Sequence, residues 1–159
     1  LIDQSADREM NWVVNLIEAI RSARAQMRVP AGLKIPMIFL EMDDEAKEAW
    51  GNNHAMIKKL ARITELTATD EVPKGSISLT AKGAAFALPL DDIIDIAEEK
   101  KRLRKSLDKI RKEINALKGR LQNPKFGESA PEEVILETRE NLNLREEEEK
   151  QLSGAASQL

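Results

Sequence analysis

The sequence has no cysteine and no tyrosine. Without thiols it can hold no disulfide, no thiolate metal site and no cysteine nucleophile; the redox compartment stays open, and cytosol fits. Its single histidine, His54, rules out multi-histidine metal sites and leaves a serine–histidine–aspartate relay one candidate base. A lone histidine in a polar helical stretch is more often a surface or core residue than a ligand or a base. Aromatics are scarce, three Phe and two Trp, which suits a modest core carrying long solvated helices. No stretch approaches the roughly 18–20 apolar residues that cross a bilayer, so no membrane partner is expected. No glycine-rich phosphate loop follows any expected strand. We therefore expect no catalytic and no metal-ligating residue. The chain opens on Leu1 rather than Met and shows no secretory-leader pattern, which we read as a piece of something longer.

What the chain has in abundance is charge, 33% of residues, with a formal net charge of −3. Met10, Val13, Val14, Ile17, Ile20 and Met27 recur at helical spacing, giving an amphipathic helix over about 6–28 that Pro30 and Gly32 stop. Its polar side carries Arg21, Arg24 and Arg28. They either complement a helix C-terminus or meet a phosphate. The run from Lys34 to Glu41 suits a buried strand, with Pro36 tolerable near its start. Asp43 or Asp44 caps a second helix reaching about Arg62, with Ala46, Ala49, Trp50, Ile57, Leu60 and Ala61 on one face. Residues 63–69 and 76–81 read as strands, Lys82-Gly83 as a turn, and residues 84–90 as a returning strand. A strand–helix–strand unit closing onto a hairpin gives a small mixed sheet with helices on one face, over residues 1–90.

From Asp91 the pattern changes. Leu103, Leu107, Ile110, Ile114, Leu117 and Leu121 follow at alternating spacings of four and three, a coiled-coil seam that Ile93 and Ile96 begin. Residues 122–129 contain Asn123-Pro124 and Gly127 and break the helix. Ser129 then caps a second helix, with Pro131 in its first turn and Glu132 completing a capping box. On that helix Ile135, Thr138, Leu142, Arg145, Glu149 and Leu152 form the matching stripe. The expected fold is α+β: the small mixed sheet, then a long antiparallel two-helix coiled coil over 91–152, with 153–159 a disordered tail.

Between Glu98 and Gln122 ten cations stand against four acids, a balance of +6; between Pro131 and Leu152 three stand against eight, a balance of −5. Opposite charges flanking an antiparallel seam favour the correct pairing. Flanking positions can use only some of ten cations, however, and Arg102, Lys109 and Arg120 have no obvious local acid. A rod with unpaired cations suits a phosphate backbone, where affinity comes from counterion release. Charge alone leaves both readings open. The acidic run Glu146–Glu149 points in several directions around a helix and is a solvated face rather than a cation site.

The segment Asn123-Pro124-Lys125-Phe126-Gly127-Glu128-Ser129-Ala130-Pro131-Glu132-Glu133-Val134 resembles the hairpin tip in the C-terminal arm of bacterial valyl-tRNA synthetases. Arg21-Ser-Ala-Arg24, followed by Pro30 and Lys34-Ile35-Pro36, resembles the last helix of that family's anticodon-binding region and the strand after it. The likeness covers about Met10 to Leu152. It implies a cytoplasmic, ATP-dependent ligase that charges valine tRNA, whose arm braces the outer corner of the tRNA while the preceding domain lies toward the anticodon stem. ATP and magnesium would belong to the catalytic core of such a parent, which is absent here together with its editing domain, and a His-x-Gly-His signature is impossible with one histidine. The implied tRNA contacts are Lys100, Lys101, Arg104, Lys105, Lys109, Arg111, Lys112, Lys118 and Arg120, with Arg21 and Arg24 on the first helix. Phe126 at the tip either stacks on an exposed base or staples its own loop. The parent would be a monomer, and the isolated piece could dimerise. The alternative is a coiled-coil protein–protein interaction module without RNA binding.

Overall fold

The computed structural model describes residues 3–159; Leu1 and Ile2, which the expected 1–90 domain includes, lie outside the described residues. The elements are α1 (Gln4–Gln26), β1 (Ile35–Met42), α2 (Asp44–Ala61), β2 (Ile63–Ala68), β3 (Ser76–Ala81), β4 (Ala84–Pro89), α3 (Ile96–Gln122), α4 (Pro124–Ser129) and α5 (Glu132–Gln158). They form two compact units. The first ends at Ile96 and takes in Gln158 and Leu159; the second spans Ala97–Ser157.

In the first unit the strands order as β2-β1-β4-β3. β1 and β2 are parallel and joined by α2, whereas β4 pairs antiparallel with both β1 and β3, so the sheet is mixed. The β1–β2 register slips between Ile35 and Met37, where Pro36 has no N–H to offer the ladder. α1 packs on β3 and α2, and α2 on β1 and β2, which puts both helices on one face. The fold class is α+β with a small mixed sheet, as the pattern implied.

α1 begins at Asp3, whose carboxylate accepts from the amides of Ser5 and Ala6. Its buried face is Trp12, Val13, Leu16, Ile17, Ile20 and Ala23. The expected stripe is displaced by part of a turn: Met10 and Val14 are 46% and 44% exposed, and Trp12 and Leu16 take their place. Apolar residues crowd positions 10–17, so helical spacing fits two neighbouring stripes and only the sheet selects one. Leu60, expected on the apolar face of α2, is likewise 43% exposed. Phe86 of β4 is fully buried, its ring 6.2 Å from that of Trp12 and tilted by 58°. Trp12 Nε1 donates to the Lys82 carbonyl at 2.9 Å, so the indole's polar edge is satisfied inside the core.

In the second unit Leu103, Leu107, Ile110 and Ile114 of α3 are buried. On α5, Thr138 is buried and Ile135, Leu142, Arg145, Glu149 and Leu152 are half-buried, the stripe that spacing alone picked out. The buried Thr138 hydroxyl is satisfied by donating to the Val134 carbonyl at 2.7 Å. Two expectations need correction. The tip is not a loop: Asn123 caps the short helix α4, with Pro124 at its first position, because that pair starts a helix as readily as it breaks one. Ser129 therefore closes α4, its hydroxyl donating to the Lys125 carbonyl, instead of capping α5. The 153–159 tail, expected to be disordered, continues α5 as helix to Gln158, and Ala155 within it is buried. Residues 153–157 contain no proline, so the helical hydrogen-bond ladder can run on through them.

Candidate nucleic-acid interface

The cations named from the sequence fall into two sets with different fates. Lys100, Lys101, Arg104, Lys105, Lys109, Arg111, Lys112, Lys118 and Arg120 all sit on α3 and all are exposed. Only Arg111 among these nine makes an ion pair among the described residues, its Nε 3.4 Å from Glu149 of α5. Arg102, expected to lack a local acid, instead pairs with Glu99 one turn earlier at 2.7 Å. Glu113 reaches Arg145 of α5 at 3.1 Å, and Arg145 also meets Glu148 at 2.6 Å. Pairing between the two helices thus uses few of the α3 cations. Most of the positive charge faces solvent, where it is available to a polyanion.

These cross-helix pairs are exposed and individually weak. A double-mutant cycle on Glu113→Ala and Arg145→Ala, read by thermal unfolding of the helices, should return a coupling of about 0.5–1 kcal/mol that shrinks in high salt. A coupling several times larger, or one indifferent to salt, would contradict a solvent-screened pair.

The α1 arginines belong elsewhere. Arg24 is buried, and its guanidinium donates to the carbonyls of Arg62 at 3.3 Å, Pro30 at 2.9 Å and Leu33 at 2.6 Å. Its pKa is pushed below the ordinary guanidinium value, chiefly because burial strips its water and secondarily because Arg62 is near. Arg21 is exposed but donates twice to the Leu60 carbonyl, at 3.2 and 3.1 Å. Both side chains therefore serve carbonyls at the C-terminal end of α2, which has no further turn to satisfy them. The expectation of a phosphate contact fails for Arg24, which has no surface to offer. Arg21 and Arg24 thus serve the end of the neighbouring helix α2 instead of complementing the end of their own.

Phe126 is half-buried on α4, beside the exposed Lys125. Lys125 is a cation the sequence reading passed over, although it stands inside the tip motif. His54 is exposed on α2. Among the described residues no cluster of three or more Asp, Glu or His could hold a metal ion, and no helix is long and apolar enough to cross a membrane.

Residues 95–159 match the family model described as the valyl tRNA synthetase tRNA binding arm. These residues belong to that family. Over all 159 residues the chain is 60% identical to a valine–tRNA ligase of Ruegeria pomeroyi and 50% identical to one of Cereibacter sphaeroides. It is 36% identical to the Mesorhizobium japonicum valine–tRNA ligase over 140 residues, 88% of this chain. The chain spans 16% of the length of the first two relatives and 15% of the third. The arm match begins at residue 95, one residue before α3, and takes in α3, α4 and α5. Both stretches that carry the resemblance, residues 10–36 and the tip motif, lie within the span aligned with the first two relatives.

Proposed function

We propose that the chain is the C-terminal, tRNA-binding portion of a valine–tRNA ligase, in which α3 and α5 form a long antiparallel coiled-coil arm that grips the tRNA. Two cross-helix ion pairs support the antiparallel arrangement, because Arg111 meets Glu149 whereas the later Glu113 meets the earlier Arg145. The observation that carries the binding reading is the surplus of exposed α3 cations over those used in pairing, on residues matched by the arm family. The arm contributes affinity and position through phosphate contacts, which fix register without reading bases. Aminoacylation with valine, and the ATP and magnesium it requires, we assign to parts of the cytoplasmic ligase beyond these 159 residues. The partners are then a valine tRNA and the rest of the synthetase, which works as a monomer.

Titration of a valine tRNA into the 159-residue chain at several salt concentrations tests this. Binding should be measurable at low salt and weaken steeply as salt rises, each neutralised phosphate contributing roughly 0.7–0.9 to the slope of log K against log salt. Undetectable binding at low salt, or binding indifferent to salt, would sink it.

A second reading has its own observation: Leu136 and Leu144 of α5 are 52% and 61% exposed, leaving apolar surface for a protein partner or for a second copy of the isolated chain. A stable dimer in sedimentation, with no tRNA affinity, would favour that reading.

A further inference from the structure

Charge on the second unit is sorted by direction as well as by helix. At 100° per residue, the buried Leu103, Leu107, Ile110 and Ile114 mark one side of α3, and Lys101, Lys105, Lys109 and Lys112 lie diametrically opposite. Their spacings of four, four and three make them a single ridge. All four are exposed, and none makes an ion pair among the described residues. Glu98 and Asp108 are the acids beside the ridge, and they leave it net positive. On α5 the side opposite Ile135, Thr138, Leu142 and Glu149 carries Glu133, Glu140 and Glu147, seven residues apart and all exposed. The two helices thus turn opposite charges outward.

We propose that the nucleic-acid backbone runs along the Lys101–Lys105–Lys109–Lys112 ridge, and that the acidic outer side of α5 turns it away, so RNA is accepted from one side only. This rests on the tRNA-binding reading and adds the side and the contacts. The eleven helical steps from Lys101 to Lys112 span about 16 Å, roughly half a turn of a nucleic-acid duplex, which suits one crossing of a backbone. Lysines are compact, flexible point charges, matched to phosphate more than to the planar edges that arginine reads. The flanking cations Lys100, Arg104, Arg111 and Lys118 lie nearer the seam, on the side where Arg111 already meets Glu149. They are poorer candidates for a backbone approaching from outside. The carboxylates of α5 act at longer range, repelling a polyanion that comes within a Debye length, about 8–10 Å.

Three glutamine variants of the 159-residue chain separate these roles, each checked by circular dichroism for retained helix. With Lys101, Lys105, Lys109 and Lys112 all replaced, the slope of log K against log salt for a tRNA should fall by about 3, and affinity at 0.1 M salt should drop tenfold or more. Replacing Lys100, Arg104 and Lys118 should change the slope by less than about 1. Replacing Glu133, Glu140 and Glu147 should leave the slope intact and tighten binding by no more than about threefold. A ridge variant that keeps its salt slope, a flank variant that loses as much, or an acidic-face variant that binds more weakly would each overturn the proposal. Loss of all binding in the unaltered chain would instead overturn the tRNA reading on which it stands.

Discussion

Replacing Arg24 with Met should lower the stability of the first unit by about 3 kcal/mol or more, because hydrogen bonds from a charged donor contribute about 1.5–3 kcal/mol each and three are lost together. Methionine keeps the apolar stem, so lost packing is a small part of the effect. The three acceptors belong to Pro30, Leu33 and Arg62. Two lie in the connection from α1 to β1 and the third at the end of α2, where the Arg62 carbonyl also accepts from the Ile35 amide at the start of β1. One guanidinium therefore ties the junction of three elements. Arg24→Lys should fall between, at a loss of about 2 kcal/mol, since a single ammonium cannot reach three carbonyls in a fixed fork. Both tryptophans, Trp12 and Trp50, lie in this unit, so their fluorescence during urea unfolding reports on it alone. A Met variant within about 1 kcal/mol of the parent would refute the role. The pH dependence has a definite sign. The folded pKa is lowered, so stability rises only as pH climbs from that value toward the unfolded one, where the unfolded chain binds more protons. A guanidinium keeps its proton across the physiological range, so Arg24 should leave the midpoint flat between about pH 6 and 9.

Much of this architecture was legible because each element announces itself locally. The strand bounds at Ser76–Ala81 followed from alternation, and a cap at Asp43 or Asp44 from a carboxylate preceding an apolar run, of which the fold uses Asp43. The α5 stripe was readable although half polar, because a spacing of three and four survives substitution of its members. What could not be read was any choice made by a distant surface. The face of α1 depended on which of two stripes the sheet would accept. Likewise Asn123-Pro124 carries the same letters whether it stops one helix or starts another, and the chain does both there.

The candidate site divides along the same line. Exposure of the α3 cations was legible, since residues off a seam face water whatever else the fold does. The fate of Arg24 was not, because nothing near it in sequence says that the end of α2 arrives there, 38 residues later, with carbonyls to satisfy. The pairing of Arg102 with Glu99 was within reach, because the two stand one turn apart on the same helix. Charge counts alone could not separate hairpin pairing from RNA binding. Arg111, the α3 cation paired across the two helices, and the outward ridge lie on different sides of α3, and it takes three dimensions to see that.

Gly83→Ala should destabilise the first unit by about 2–4 kcal/mol, the sum of a left-handed backbone cost and a damaged helix cap. Gly83 sits at φ +76 in the turn between β3 and β4, a region that costs an L side chain roughly 1–2 kcal/mol. A Cβ built there falls inside the van der Waals envelope of the Asp43 carboxylate. That carboxylate accepts from the Ala46 amide at 2.8 Å as the cap of α2, and the Asp43 amide donates to the Gly83 carbonyl at 2.8 Å. Turn and cap therefore occupy one space, and only the absence of a side chain at residue 83 lets both exist. Asp43→Ala alone should cost about 1 kcal/mol, the usual value of a cap. In the double variant the clash is gone and only the backbone cost remains beside the lost cap. Its loss should fall short of the sum of the singles by about 1 kcal/mol or more. Strict additivity in tryptophan-monitored urea unfolding would show that the carboxylate moves aside at no cost, and that Gly83 is required for its backbone angle alone.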